Sequence, residues 1–293
     1  MTEAGQAITV SQAIRAATVV LGAGTDAARY DAEVLMAHAL GCSRSVMFLH
    51  RMHDPAPAGF EALIARRAGH EPVAHIRGFQ EFFGLTFKVT PDVLIPRGDS
   101  EVLVEQALAQ RPQARSVLDC GTGSGALLLA VLDHLPGARG LGIDRSEAAL
   151  AVARENAAAL GLAGRAEMRL ADWNQPGWSV DLGRFDLILA NPPYVEDAAE
   201  LDADVREFEP AGALFAGAEG LDAYRVLIPQ LPALLAEGGL ALVEIGHTQA
   251  EAVSALAAEV GLAAQLHLDL AERPRVLVLS NSAWQDPHQR VSA

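Results

Sequence analysis

Apolar residues in the first quarter of the chain recur at the spacing of a helix face. Val34, Leu35, Ala37 and Leu40 are one example of this spacing. Four stretches of this kind lie near residues 11–21, 26–40, 43–52 and 57–68. Because no strand pattern interrupts them, we predict a small helical bundle over residues 1–78.

The pattern changes to alternation at Leu85, Phe87 and Val89, which predicts a β-hairpin. Further along, short apolar runs alternate with helical stretches, as is typical of a doubly wound, mostly parallel sheet. The fold class predicted is therefore α/β with a helical domain in front. The predicted domains are 1–78 (helical), 79–95 (hairpin linker), 96–285 (α/β sheet) and 286–293 (C-terminal tail).

Local signals set the element ends in the last third of the chain. The apolar pattern predicts one helix near 221–236, which stops at Gly238-Gly239 and is followed by a buried strand over 240–245. Thr248 and Glu251 form a capping-box pattern, which predicts that the next helix opens there.

The tetrapeptide Asn191-Pro192-Pro193-Tyr194 directly follows an apolar run, where a buried strand would end. Open α/β sheets bind ligands at such strand ends. Pro192 and Pro193 fix φ and donate no hydrogen bond, so the carbonyl groups of the turn are rigid acceptors. Asn191 adds a side-chain oxygen, and Tyr194 offers a flat face for stacking. Two acceptors of this kind suit a planar –NH2 group, and the tetrapeptide therefore predicts methylation of a nitrogen atom.

A second strand end carries glycines that let a ligand approach the backbone closely. The strand near 116–120 leads into the turn Gly121, Thr122, Gly123, Ser124 and Gly125, and an apolar helix follows. Dinucleotide-binding dehydrogenases use a related turn, and many such matches are only tight loops. The turn alone therefore leaves the ligand open.

Two later strands also end in acids. Asp144 lies about 20 residues after the glycines, where a ribose-binding carboxylate is expected. The alternative is a role at the start of the helix that Ser146 opens, and both roles can coexist. Asp172 and Trp173 end a third strand, where the acid would bind an adenine amino group and the indole would pack on the ring. Simple packing of the indole is the alternative.

Taken together, these segments resemble the release-factor glutamine methyltransferases (HemK/PrmC), which are class I enzymes that use S-adenosylmethionine. The resemblance spans nearly the whole chain. It rests on Gly78-Phe79-Gln80-Glu81-Phe82-Phe83-Gly84, on 93–101, on the glycine turn, on Asp172-Trp173, on Asn191 to Tyr194 and on Phe208-Glu209-Pro210. The family's usual segment has Pro and Thr where this chain has Gly98 and Ser100.

The resemblance implies that S-adenosylmethionine is the cofactor, that the last strand is antiparallel and that the helical domain helps to recognise a protein substrate. It also implies that Asn191 to Tyr194 hold a glutamine side chain of a class I peptide chain release factor. The implied cofactor site comprises Gly121, Thr122, Gly123, Ser124, Gly125, Asp144, Trp173 and Asn191, to which the strand-end position adds Asp172. Asn191, Pro192 and Tyr194 would act in catalysis, and Glu101 and Glu209 are acids that could lie near the pocket.

Charge narrows the choice of partner. The 293 residues carry a formal net charge of −15, and residues 1–78 balance at seven acids and seven arginines, so the excess lies in the rest of the chain. An acidic surface disfavours nucleic acid, whose phosphates bind Lys and Arg. It suits a basic protein, which the acidic segment 196–209 could steer, although that segment could equally be a solvated loop.

Composition gives the remaining expectations. Two cysteines suit a reducing compartment, no residue cluster resembles a metal site, and no apolar run approaches a membrane span. The first residues lack the features of a secretory signal, so we expect a cytoplasmic enzyme.

Three alternatives stay open. One is a glutamine methyltransferase that acts on a ribosomal protein, since the turn motifs cannot separate the two substrates. A second is a nucleic-acid adenine-N6 methyltransferase, whose –NH2 substrate has nearly the same geometry. A third is a binding protein with a vestigial cofactor site.

Overall fold

The computed structural model describes residues 8–22 and 26–281. Its contacts divide the chain into two units. One comprises the residues up to Phe79 together with Leu201–Phe208, and the other comprises Gln80–Glu200 and the residues from Glu209 onward. The predicted C-terminal tail, 286–293, lies outside the described residues.

Twelve helices occur in the described ranges. They are α1 (Val10–Gly22), α2 (Asp26–Ala39), α3 (Arg44–Val46), α4 (Phe60–Ala68), α5 (Val73–Arg77), α6 (Glu101–Gln110), α7 (Ala126–His134), α8 (Glu147–Ala159), α9 (Ala203–Phe208), α10 (Asp222–Leu227), α11 (Leu231–Leu234) and α12 (Ala250–Glu259). A π-helical turn, Met47–Arg51, extends α3, and three 3-10 turns lie at Gly98–Ser100, Ala211–Ala213 and Ile228–Gln230.

Nine strands accompany them. They are β1 (Phe79–Phe82), β2 (Leu85–Lys88), β3 (Ser116–Cys120), β4 (Arg139–Asp144), β5 (Ala166–Leu170), β6 (Phe185–Ala190), β7 (Leu235–Glu244), β8 (Leu262–Leu268) and β9 (Pro274–Asn281). The strands β1 and β2 form the predicted hairpin.

The helical unit has a core of its own. Its helix α1 buries Val10, Ala13, Ile14 and Ala17, which are spaced as one helix face and pack with apolar residues of α2 and α4. This confirms the predicted bundle. The helix α9 belongs to the same unit although it lies far along the chain.

An arginine links α9 to the rest of the helical unit. The Nε atom of Arg67 donates to Asp31 at 2.7 Å, and its NH1 atom lies 3.5 Å from a carboxylate oxygen of Asp204 on α9. One guanidinium therefore serves carboxylates from two segments of the chain that are widely separated in sequence.

The large sheet has the strand order β5-β4-β3-β6-β7-β9-β8. The strands β4 and β6 pair with β3 in parallel, as do β5 with β4 and β7 with β6, whereas β9 runs antiparallel to both β7 and β8. The predicted doubly wound sheet with an antiparallel last strand is confirmed.

Successive residues of β3 point to the two faces of the sheet. Val117 joins the apolar cluster that contains α6, α7 and α8, and Leu118 joins the cluster that contains α10, α11 and α12. Helices therefore cover both faces, and β3 is buried between them. None of the helices in the described ranges is both long and apolar enough to cross a membrane.

Three predictions for residues 221–251 are wrong. The single helix predicted near 221–236 is divided into α10, a 3-10 turn and α11, because Pro229 and Pro232 lack the N–H groups that a continuous helix needs. The strand β7 then begins at Leu235, before Gly238-Gly239. The helix α12 begins at Ala250 with no side-chain cap, so Thr248 and Glu251 form no capping box.

Asn156 on α8 connects the hairpin to the glycine turn. It is 2% exposed, its Oδ1 accepts from Lys88 N at 2.7 Å, and its Nδ2 donates to Lys88 O at 3.1 Å and to Ser124 O at 2.9 Å. All hydrogen-bonding groups of this amide except one lone pair are therefore used between backbone groups of two other segments.

Replacing this amide should destabilise the protein. Asn156→Ala leaves one backbone N–H and two carbonyl groups without their partner, and we expect a loss of about 2–4 kcal/mol in the free energy of unfolding. Urea denaturation measures it. Glu155→Ala is the matched control, since Glu155 bonds the same Lys88 through an exposed ion pair, which is worth about 0–1 kcal/mol. Equal effects of the two substitutions would contradict the role of Asn156.

Candidate active site

The predicted site residues follow the carboxyl ends of four parallel strands of the sheet. The glycine turn follows β3, Asp144 ends β4, Asp172 comes after β5 and Asn191 comes after β6. The chain leaves β3 for β4 and β5 on one side and returns to β6 on the other side. The site therefore lies at the point where the strand order reverses, which is where such sheets bind ligands.

The glycine turn is left-handed at three positions. The φ angles are 76° at Gly121, 54° at Gly123 and 84° at Gly125, a region that favours glycine. Gly121 N and Thr122 N both donate to Ile143 O at 2.9 Å, which holds the turn against the end of β4.

Below this turn lies Asp119, a carboxyl 1% exposed that accepts from the Thr122 hydroxyl at 2.7 Å. Burial raises the pKa of Asp119 to about 7, against the opposing effect of the Thr122 hydrogen bond. Asp119 is not among the predicted site residues. The signal that could have identified it is an acid within an otherwise apolar strand.

The indole of Trp173 lies directly on Gly121. A Cβ atom at Gly121 would lie 3.0 Å and 3.2 Å from two carbon atoms of that ring. Any side chain here would therefore displace the indole, so the glycine is required by its neighbour as well as by its φ angle. The carbonyl of Trp173 accepts from Gln230 Nε2 at 3.1 Å, which fixes the turn that carries the indole.

Both oxygens of Asp144 are held by backbone groups. Its Oδ2 accepts from Gly123 N at 3.0 Å, and its Oδ1 accepts from Ser146 N at 2.9 Å. Ser146 itself caps α8, because its hydroxyl accepts from Ala149 N. Each carboxylate oxygen keeps a further lone pair. Asp144 therefore stabilises the glycine turn and the start of α8 and still offers acceptors to the hydroxyls of a ligand.

Asp172 is held by the residue two positions further on. Its Oδ1 accepts from Asn174 N at 2.9 Å and from Asn174 Nδ2 at 2.7 Å. Partial burial favours the neutral acid, but these hydrogen bonds and the charge of Arg145 outweigh it and lower the pKa of Asp172. The group is therefore an anionic acceptor at neutral pH.

The turn after β6 presents Asn191 and Pro193 to the same cavity as the glycine turn. Pro192 is buried, and Tyr194 does not line this cavity. The Tyr194 hydroxyl instead lies 3.4 Å from Glu244 Oε1, and Gln249 Nε2 donates to the Tyr194 carbonyl at 3.0 Å. The structure therefore brings Asn191 into the cavity that the residues predicted to bind the cofactor also line. The hydroxyl and carbonyl of Tyr194 instead face the end of β7.

Glu244, the last residue of β7, is a buried acid that the sequence reasoning missed. It is 1% exposed, and burial raises its pKa to about 7 against the stabilising effects of Ser100, Arg275 and Tyr194. Ser100 also accepts from Asn191 Nδ2 at 3.4 Å. An acid at the end of an otherwise apolar strand was the signal that could have found it.

Glu209 and Glu101 each accept a hydrogen bond from a backbone N–H group, and Glu209 also pairs with an arginine. Glu209, which is 6% exposed, accepts from Ile95 N at 3.1 Å and forms an ion pair with Arg97. Glu101 accepts from Phe83 N in the hairpin at 2.7 Å and does not line the cavity. Arg97 does line it, so the buried Glu209 holds a cation at the cavity wall.

The cavity measures about 480 Å³, which is within the range of small-molecule sites. Its wall combines the groups that a nucleoside with a sulfonium side chain requires. They are the open backbone of Gly121, Thr122 and Gly123, the acids Asp144 and Asp172, the indole of Trp173 and the amide of Asn191. The residues present therefore fit S-adenosylmethionine. The described ranges hold no cluster of His, Cys, Asp or Glu that could ligate a metal ion.

Comparisons with known proteins agree with this geometry. A family model of the PrmC N-terminal domain matches residues 12–78, and a model described as a methyltransferase domain matches residues 113–259. The hMettl16 catalytic domain, solved in complex with the MAT2A 3′UTR hairpin 6, is 14% identical. Its TM-score is 0.55 over 76% of this chain and 83% of that chain, which shows the shared fold alone.

Two curated relatives extend over most of the chain. The release factor glutamine methyltransferase of Cereibacter sphaeroides is 46% identical over 86% of this chain and 91% of its own length. The release factor glutamine methyltransferase of Moorella thermoacetica is 45% identical over 87% of this chain and 91% of its own length. Identity of this extent, across both the helical and the sheet segments, shows that the chain belongs to the release factor glutamine methyltransferase family.

Proposed function

We propose that this enzyme transfers a methyl group from S-adenosylmethionine to the N5 atom of the glutamine in the Gly-Gly-Gln loop of class I peptide chain release factors. The observation that carries the proposal is the shared cavity. The Asn191 amide and the glycine turn line it together, so an amide-bearing side chain and a methyl donor would meet there. The relatives' name supplies the substrate class.

Binding of the methyl donor is assigned to the first part of the cavity wall. Asp144 would accept from the ribose hydroxyls, Asp172 would accept from the adenine amino group, and Trp173 would pack on the adenine ring. The turn Gly121 to Gly125 would lie against the methionine part. The donor supplies a methyl group already activated by the positive charge on its sulfur.

The protein's main task is positioning, because an amide nitrogen is a poor nucleophile whose lone pair is delocalised into the carbonyl. The Asn191 side-chain oxygen and the Pro192 carbonyl would accept the two N–H bonds of the substrate amide. Among the backbone hydrogen bonds of residues 8–22 and 26–281, none ends on the Pro192 carbonyl, so no backbone N–H there competes for that acceptor. Both acceptors also stabilise the positive charge that develops on nitrogen.

The reaction balances without a protein base. With its amide held by Asn191 and Pro192, the glutamine nitrogen would form a bond to the methyl carbon as the bond from that carbon to sulfur breaks. The methylated nitrogen would carry a positive charge, which makes its proton acidic. That proton would then be lost to water. Tyr194 and Pro193 would complete the substrate turn, with Tyr194 placed by its contacts to Glu244 and Gln249.

The division of labour follows the predicted domains. We propose that residues 1–78 recognise the release factor, that 79–95 links the two parts and that 96–285 carries out methyl transfer. The acidic segment 196–209 has seven acids and one arginine. Asp204 and Glu209 are paired with Arg67 and Arg97, and the other acids would attract a basic protein surface. The same net charge of −15 disfavours a nucleic-acid substrate.

The experiment that tests the function is transfer from methyl-labelled S-adenosylmethionine to purified release factor. Parallel samples contain a release factor with the loop glutamine changed to alanine, a ribosomal-protein mixture and duplex DNA. We expect label on the wild-type release factor alone. Label on a ribosomal protein or on DNA would move the substrate to that class, and no label on any of the four would contradict the function.

Asn191→Ala should separate catalysis from cofactor binding. Loss of one of the two acceptors should lower kcat by about 100- to 1,000-fold, because the oxygen acts on charge that develops in the transition state. The dissociation constant of S-adenosylmethionine, measured by calorimetry, should change by less than about threefold. Gln113→Ala, which removes an exposed amide in the turn before β3, is the control. Near-normal turnover of Asn191→Ala would remove Asn191 from its assigned role.

Asp144→Ala should have the opposite signature. Because it removes the ribose acceptors and releases Gly123 N and Ser146 N, we expect cofactor affinity to fall by about 10- to 100-fold, as for the loss of charged hydrogen bonds. Titration calorimetry measures the affinity, and turnover at saturating cofactor should recover most of its rate. Asp133→Ala, an exposed acid on α7, is the control. Unchanged affinity in Asp144→Ala would contradict the ribose assignment.

A further inference from the structure

A buried glutamine contacts the turn that the proposed function assigns to the substrate. Gln249 lies between the end of β7 and the start of α12 and is 8% exposed. Its side chain bonds the backbone of Tyr194, the last residue of the turn that begins at Asn191. Gln249 does not line the cavity, so it reaches this turn without access to a bound substrate or cofactor.

The nitrogen of the Gln249 amide joins two segments of the cavity wall. Its Nε2 donates to the Tyr194 carbonyl at 3.0 Å and to the Gly220 carbonyl at 3.2 Å. The first carbonyl belongs to the turn after β6, and the second belongs to the loop before α10. Both segments contribute residues that line the cavity. A single –NH2 group therefore holds the two segments together.

The oxygen of the same amide is held as well. Gly246 N donates to Gln249 Oε1 at 3.0 Å, and the Tyr224 hydroxyl lies 3.5 Å from this oxygen. A flipped amide would set its oxygen against two carbonyl oxygens and its –NH2 group against an N–H group. The surrounding backbone therefore allows only one orientation of the Gln249 amide.

The backbone packs closely around this amide. A Cβ atom at Gly220 would collide with the Tyr194 carbonyl oxygen and lie 2.8 Å from Gln249 Nε2. A Cβ atom at Gly246 would lie 2.8 Å from Gln249 Oε1. Because glycine has no Cβ atom, the two backbone segments can approach the amide closely enough to bond it.

The chain directly after the turn is held by the same loop. Val195 N donates to Leu214 O at 2.9 Å, and Ala216 N donates to Val195 O at 2.9 Å. Within the described part of the chain, no backbone N–H donates to the Tyr194 carbonyl. That carbonyl therefore depends on the Gln249 side chain, whereas its neighbour Val195 has backbone partners.

Holding the Tyr194 carbonyl restricts the two acceptors that precede it. The rings of Pro192 and Pro193 fix their φ angles, so only a few bonds between the Pro192 and Tyr194 carbonyls can rotate. A shift of the Tyr194 peptide therefore moves the Pro192 carbonyl and, through it, Asn191. Misplacement of such groups by about 1 Å can lower a rate by about 100-fold.

We propose that Gln249 is a positioning residue, whose amide holds the Tyr194 carbonyl and thereby aims the Asn191 and Pro192 acceptors at the substrate amide. The inference rests on the proposed function for its effect on turnover. Its effect on the turn is a property of the free enzyme and can be measured without a substrate.

Gln249→Met is the first test, because methionine has a similar length but supplies no –NH2 group for the two carbonyls. With saturating cofactor and release factor, we expect kcat to fall by about 10- to 100-fold. The dissociation constant of S-adenosylmethionine, measured by calorimetry, should change by less than about threefold. Asp144 and Trp173 are held by other groups, so binding at full stoichiometry also shows that the variant is folded.

Gln110→Met is the matched control. Gln110 is a half-buried glutamine on α6 that does not line the cavity, and its variant should keep the turnover of the wild type. Wild-type turnover in Gln249→Met would overturn the proposal. A parallel loss of turnover and cofactor binding in Gln249→Met would also overturn it, because that result indicates general damage to the fold.

Gln249→Glu tests the donated hydrogen bonds by their dependence on pH. An ionised carboxylate has no proton for the Tyr194 and Gly220 carbonyls, whereas a protonated carboxyl can donate to one of them. As the pH falls from about 8.5 to about 6, kcat relative to the wild type should rise by about 2- to 10-fold, as for one recovered hydrogen bond. The same ratio for Gln249→Met should stay constant. If Gln249→Glu is no more active than Gln249→Met at every pH, the role of these hydrogen bonds is overturned.

Hydrogen exchange supplies a readout that does not depend on activity. The backbone amides of Val195 and Ala216 should exchange about 10- to 100-fold faster in Gln249→Met than in the wild type or in Gln110→Met. The amide of Leu118 in β3 reports general stability and should change less. Unchanged exchange at Val195 and Ala216, or an equal rise at Leu118, would overturn the proposal. If the wild type methylates no release factor, the proposed function fails, and hydrogen exchange alone decides this inference.

Discussion

Parallel hydrogen bonding of β3 to a strand on each side is the constraint on which the site depends. Residues Val117 to Cys120 pair with β4 on one edge and with β6 on the other, in register. Parallel pairing makes the chain leave all three strands at the same edge. The glycine turn, Asp144 and Asn191 therefore converge although about 70 residues separate the first from the last.

Polar side chains, of which Glu209 and Asn156 are buried and Asp144 is partly buried, then fix the convergent loops. Asp144 takes backbone N–H groups from the glycine turn and from the start of α8. Glu209 accepts a hydrogen bond from Ile95 N and pairs with Arg97. Asn156 connects the hairpin to Ser124 by hydrogen bonds. A buried polar group without a partner costs about 1–3 kcal/mol, so each of these contacts favours one loop arrangement over its alternatives.

Much of the site was predictable because local sequence signals mark its residues. Glycines after a strand indicate positive φ angles, and two prolines after an apolar run indicate a rigid turn whatever its tertiary contacts. The resemblance to known enzymes added the ligands. By contrast, Ser100, Glu244 and Gln249 gain their importance from partners distant in sequence, which periodicity does not report. The break at Pro229 was readable from the sequence, since two prolines interrupt the predicted helix.

The inclusion of Leu201–Phe208 in the helical unit has a consequence for the order in which the protein is made. That unit is discontinuous along the chain: its α9 is synthesised only after the glycine turn, Asp144 and Asn191. The Arg67 guanidinium cannot meet Asp204 until some 200 residues have left the ribosome. Vectorial folding therefore cannot finish the helical unit before β3 to β6 have emerged, and it cannot finish the sheet until β7, β8 and β9 follow.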